Sequence, residues 1–105
     1  MGISVRVVEY SGQIVKDGGR YVEAVLEATS SDVARYPLLA GVDEYDDTTF
    51  NPRQAVMLIA ELEQLTAMTD DQNLHEAISQ LITLAELLVP APRRPRHRRL
   101  VFNGD

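Results

Sequence analysis

Residues 43–65 read DEYDDTTFNPRQAVMLIAELEQL: four carboxylates within five positions run directly into the clearest helix start in the chain. Asn51 is placed as the N-cap, and Pro52 falls at the first helical position, where its missing N–H costs nothing. Gln54 stands three residues after the cap and can bond back to the Asn51 backbone. Phe50 can pack against Ala55 as a hydrophobic staple, which fixes the angle at which the loop enters the helix. Behind the cap, Ala55, Leu58, Ile59, Leu62 and Leu65 follow the i, i+3, i+4, i+7 spacing of a helix with one buried face, over residues 52–67. Met57, Gln64 and Met68 fall almost opposite that stripe, and Glu61 is grouped with them as exposed. The pattern before this stretch is that of strands and the pattern after it is helical, so its reading sets the fold class.

Downstream, Thr69 to Gln72 repeats the capping-box spacing T-x-x-Q. A second helix over residues 70–88 then aligns Leu74, Ala77, Ile78, Leu81, Ile82, Ala85 and Leu88. A connection this short predicts an antiparallel helical hairpin. One long bent helix is the rival, because no Gly marks a C-cap. Pro90, Pro92 and Pro95 stop helical structure, and the terminal run Leu100-Val101-Phe102 predicts a final strand over residues 98–103 returning to the N-terminal sheet.

Upstream, ISVRVVEY at residues 3–10 alternates and is β-branched, the pattern of a strand. Ser11-Gly12 marks a turn, residues 13–16 form a short apolar-centred piece, and Asp17-Gly18-Gly19 carries hairpin-turn chemistry. Residues 20–29 hold two periods at once: Val22, Ala24, Leu26 and Ala28 alternate, whereas Val22, Val25 and Leu26 share a helical face. The alternation and the preceding turn favour a strand. Ser30 or Ser31 can cap one helical turn through Tyr36, which Pro37 stops, and Leu38, Leu39 and Val42 read as a buried connector. The expected fold is α+β: a small antiparallel sheet from residues 3–29 plus the C-terminal strand, packed on the helical hairpin in a single domain, 1–105.

The chain has no Cys and no Trp, so disulfides, thiolate metal sites and cysteine nucleophiles are excluded. No apolar run approaches the ~18 residues of a membrane span, and Arg6 and Glu9 interrupt any signal-peptide core, which makes a cytoplasmic protein the default expectation. Charge is unevenly spread. Residues 1–92 carry five basic and fifteen acidic side chains, a net −10, and residues 93–105 carry five Arg against Asp105, a net +4. An acidic body repels nucleic acid and membrane surfaces and draws basic partners.

Asp43, Glu44, Asp46 and Asp47 offer hard oxygen ligands, but their order lacks the alternating ligands and central Gly of an EF-hand, so no metal is assigned to them. A solvated loop supporting the following helix, and a protein-contact surface formed with Tyr45, are the other readings. His75 and His97 have no i, i+4 partner and no Ser in a G-x-S-x-G setting, which leaves no catalytic residue to name. Arg93, Arg94, Arg96, Arg98 and Arg99 can contact phosphate or RNA, although no aromatic is interleaved for stacking. The same segment can instead fold back across the acidic loop. Met57 and Met68, with Glu61 and Gln64, would form a small soft patch suited to a partner.

The segment D-E-Y-D-D-T-T-F-N at 43–51, the apolar helix behind it and the closing L-V-F-N-G-D at 100–105 resemble a group of small actinobacterial proteins. That group carries Asp-x-Tyr-x-Asp-Thr-x-Phe-Asn before a helix and ends in an apolar strand finishing Gly-Asp. Asp43, Tyr45, Asp47, Thr48, Phe50 and Asn51 fit the pattern, and Asp46 stands where the group often has Gly, so the turn geometry of the loop is expected to differ. The resemblance covers about half the chain; it implies the arrangement of these pieces and brings no activity or cofactor with it.

Taken together, these features point to a non-enzymatic acidic module that binds a basic protein partner through Asp43, Glu44, Tyr45, Asp46, Asp47, Met57 and Glu61. An immunity- or antitoxin-like inhibitor is its concrete form. The alternatives are a metal-dependent enzyme built on the same carboxylates, and phosphate or RNA binding through the Arg-rich segment.

Overall fold

In the computed structural model, which describes residues 3–18, 22–92 and 97–104, the chain forms a four-stranded antiparallel sheet and three helices. Strands β1 (Ser4–Val8) and β2 (Ile14–Gly18) form a hairpin. It closes at Glu9–Gln13, where Gly12 takes φ 89°, a left-handed position that favours glycine, and its N–H donates to the Glu9 carbonyl at 2.8 Å. The hairpin turn therefore lies at Ser11-Gly12. Asp17 and Gly18 belong to the end of β2, and Gly19, also expected in a turn, lies outside the described residues. Val7 pairs with Lys16 and Val8 with Ile14, so Val15 is an extra residue that kinks this edge strand.

Residues 22–29, expected to form a strand, are a helix instead, α1 (Val22–Thr29). Its buried side chains are Val22, Val25, Leu26 and Thr29, the i, i+3, i+4, i+7 set, while Ala24 and Ala28 face solvent. The apparent alternation rested on those two alanines, which are small enough to sit on either side of a strand and are also the best helix formers. Thr29 Oγ1 donates back to the Val25 and Leu26 carbonyls, so its hydroxyl is satisfied inside the core.

After α1, Asp32 caps the following turn itself by accepting from the Arg35 N–H at 3.2 Å, in place of the expected Ser30 or Ser31. A single 3₁₀ turn, Leu39–Gly41, then leads into the acidic loop. The loop ends in a strand that sequence reading had missed, β3 (Thr48–Phe50), immediately before α2 (Pro52–Met68).

Helix α3 (Gln72–Glu86) follows after a three-residue connection, and the pair is a hairpin and not one bent helix. Thr69 ends α2 in extended conformation, φ −135° and ψ 148°, and its Oγ1 accepts from the Asp71 N–H. The cap of α3 is Asp71, not Thr69: its carboxylate accepts from the Asn73 and Leu74 N–H groups, the choice an acidic side chain at a helix N-terminus favours. The missing Gly C-cap is replaced by His75, whose Nε2 lies 3.1 Å from the Thr66 carbonyl and 2.6 Å from that of Thr69. A ring N–H facing two carbonyls satisfies the acceptors left at the end of α2.

Strand β4 (Arg99–Asn103) enters between β1 and β3, giving the order β2-β1-β4-β3. The two ends of the chain thus supply the two central strands. Val5 pairs with Phe102, Val7 with Leu100 and Leu100 with Phe50, which puts these five side chains on one face of the sheet. Phe50 meets Phe102 edge-on, ring centroids 5.7 Å apart. That face and the buried stripes of the three helices share one core, in which Leu58, Leu62, Ile78, Leu81, Leu100 and Phe102 are fully enclosed. The opposite face, with Ser4, Arg6, Val8, Arg99 and Val101, stays exposed or half-buried. Among the described residues, no helix is long and apolar enough to cross a membrane.

Candidate functional site

The acidic loop is held at its far end by the predicted clamp. Asn51 Oδ1 accepts from the Gln54 N–H at 2.9 Å and Gln54 Oε1 accepts from the Asn51 N–H at 2.9 Å, with Pro52 at the first helical position. Its near end is tied by the Asp43 N–H donating to Thr48 Oγ1 at 2.9 Å, a bond that spans the loop. Within it, Asp43 Oδ1 accepts from the Tyr45 N–H at 2.8 Å and Asp46 Oδ1 from the Asp47 N–H at 2.7 Å, local bonds typical of aspartates in turns. Across to β4, Asn103 Nδ2 donates to Asp47 Oδ1 at 3.1 Å. A Cβ built on the next residue, Gly104, would overlap the N, C and O atoms of Asp46. The segments 43–51 and 100–104 are thus packed against each other, backbone to backbone at Gly104 and Asp46.

Residues 43–47 are all exposed, Tyr45 at 80% of its surface. Strand β3 lies between Asp47 and the start of α2, so Asp46 and Asp47 are not in the first turn of that helix, where a carboxylate would gain from its positive end. Glu44 makes no bond within the loop; it borders a cleft of about 340 Å³ against α1. Among the described residues, no three Asp, Glu or His side chains converge as ligands for a metal ion.

Glu61 does not belong to this surface. Only 6% exposed, it accepts from the Leu38 N–H at 3.0 Å through Oε2 and from the Leu39 N–H at 3.1 Å through Oε1. Those N–H groups stand at the start of the 3₁₀ turn, before its first internal bond, so they have no backbone acceptor, and the carboxylate takes both. The spacing contained this: Glu61 lies three residues after Leu58 and four before Leu65, inside the apolar stripe, and only its charge suggested exposure. Met57 is exposed, at 55%, beside Val56 at 54% in the second turn of α2.

The basic segment is described only at residues 97–99; Arg93, Arg94 and Arg96 lie outside the described residues. Arg98 Nη1 donates to the Leu87 carbonyl at 3.0 Å, so this cation closes the C-terminal end of α3. Arg99 is exposed in β4, opposite Val8. Neither bonds to the acidic loop, so these two residues do not fold across it. His97 packs beside Tyr10, ring centroids 5.7 Å apart, and His75 caps a helix; among the described residues neither stands in a nucleophile–base pair. Comparison of the chain with protein-family models, with curated proteins and with solved structures returns no match.

Proposed function

We propose that this protein is a non-enzymatic binding module that holds a basic protein partner on its acidic loop, in the cytoplasm; an immunity- or antitoxin-like inhibitor of a cationic protein is the concrete form. The observation that carries this reading is a loop of four exposed carboxylates braced at both ends, by the Asn51–Gln54 capping box and by the bonds to Thr48 and Asn103. No described cation neutralises it. A braced anionic surface loses little conformational entropy on binding, and its field speeds encounter with a positive partner and discriminates against negative ones.

The test uses Asp43→Asn, Glu44→Gln, Asp46→Asn and Asp47→Asn together, because the amides retain the acceptor oxygens that shape the loop and remove only its charge. Extract of the source organism is passed over immobilised wild-type and neutralised protein at low ionic strength. A basic protein retained by the wild type, eluted by salt near 0.5 M where screening shortens to about 4 Å, and not retained by the neutralised form is the expected result. Retention that ignores the four substitutions overturns the reading.

A further inference from the structure

The cleft bordered by Glu44 lies between α1, the 3₁₀ turn and the first described residue of the chain, and encloses about 340 Å³. Its floor is apolar: Ile3, Leu26, Leu39 and Val42. Its rim carries three carboxylates, Glu23 and Glu27 from α1 and Glu44 from the loop, and no basic residue lines it among the described residues. Glu23 Oε1 accepts from the Ile3 N–H at 2.7 Å, while Glu27 and Glu44 have exposed side chains that accept from no donor among the described residues. Glu23 and Glu27 are one turn apart on a helix of eight residues, a spacing at which like charges repel and weaken the helix. An arrangement that costs α1 stability and leaves two rim carboxylates with no partner among the described residues is complementary to a cation. The apolar floor below them suits an alkyl stem, and the volume is near the lower limit of ligand sites, about 300 Å³, room for one long side chain.

We propose that this cleft receives an arginine side chain presented by the basic partner, its methylenes on Ile3, Leu26, Leu39 and Val42 and its guanidinium between Glu23, Glu27 and Glu44. This rests on the partner being basic, and it names the residue by which that partner is anchored. Arginine fits better than lysine because a planar fork with five donors can bridge carboxylates from two elements at once, whereas an ammonium is a single strongly hydrated point charge. Burying the stem adds affinity that the exposed loop, a field without a floor, cannot supply.

The experiment is a titration followed by amide chemical shifts, with Nα-acetyl-arginine amide as probe and Nα-acetyl-citrulline amide, its uncharged counterpart of similar shape, as control. Arginine is expected to move the amides of Leu26, Ser30, Leu39 and Val42, and citrulline to leave them in place. Glu27→Gln/Glu44→Gln, whose spectrum also reports that the fold is intact, is expected to weaken arginine binding about tenfold, the equivalent of about 1.4 kcal/mol. Equal responses to the two probes, or arginine shifts confined to residues 45–47, overturn the cleft proposal. A hexa-arginine peptide separates the two levels. If it binds residues 43–47 while the single arginine leaves the cleft unmoved, the cleft proposal falls and the basic-partner reading stands. If it binds nowhere at low salt, both fall.

Discussion

Two single residues hold the neighbourhood of the loop in place. Glu61 supplies both oxygens to the Leu38 and Leu39 N–H groups in a buried position, so Glu61→Ala leaves two donors with no acceptor. Hydrogen bonds to a charged group of this kind are worth about 1.5–3 kcal/mol each and losses are partly offset by relaxation, so the expected cost is about 2–4 kcal/mol in urea unfolding. Glu61→Gln, which retains one acceptor, is expected to lose about half as much. Gly104 is the second residue. Gly104→Ala forces a methyl group into the Asp46 backbone, which has no rotamer with which to yield, at a cost of about 1–3 kcal/mol, and it should move the amide resonances of the acidic loop. Gly41→Ala is the control: nothing lies within 4 Å of its added Cβ, and its stability should stay within about 0.5 kcal/mol of wild type.

At the scale of elements, the two helices of the hairpin start and stop by side-chain bonds in place of glycine or the expected Thr69 cap. Asn51→Ala removes the Oδ1 acceptor of the capping box and is expected to lower stability by about 1 kcal/mol. Combining it with Gln54→Ala should cost less than the sum of the two single changes, because the bonds are reciprocal; a thermal double-mutant cycle measures the difference. His75→Ala uncovers the Thr66 and Thr69 carbonyls at the end of α2 and is expected to cost a similar ~1 kcal/mol. Helix α1 is the weakest element by the same reasoning. It is eight residues long, carries Glu23 and Glu27 one turn apart, and is held by packing of Val22, Val25 and Leu26 against the core.

At the scale of the molecule, the order β2-β1-β4-β3 makes cooperative folding depend on both ends of the chain. β4 brings fully buried Leu100 and Phe102 between two strands, and its removal would strip one edge from β1 and leave β3 with no partner. A chain ending at residue 98 is therefore expected to show no cooperative thermal transition. In the full chain, the amides of β1 and β4 are expected among the slowest to exchange with solvent, and those of Glu44 and Asp46, which donate to no acceptor among the described residues, among the fastest. The acidic loop is anchored to β4, so the C-terminal strand also determines where the negative surface stands.

The α+β class, the two long helices, the capping box at Asn51 and Gln54 and the terminal strand follow from the sequence alone, because each is decided by residues within a few positions of one another. Period, cap chemistry and proline are local causes. Three features were settled only in three dimensions. Residues 22–29 became helical because α3 offers a surface to the i, i+3, i+4 face of Val22, Val25 and Leu26, and two alanines could not tell a strand from a helix. Glu61 turned inward because a 3₁₀ turn more than twenty positions earlier presents two unpaired N–H groups to it. Thr48–Phe50 became a strand because β4, about fifty residues further on, supplies the edge it pairs with. Burial and partner geometry are properties of the assembled core, and a local pattern carries no information about a partner so far along the chain.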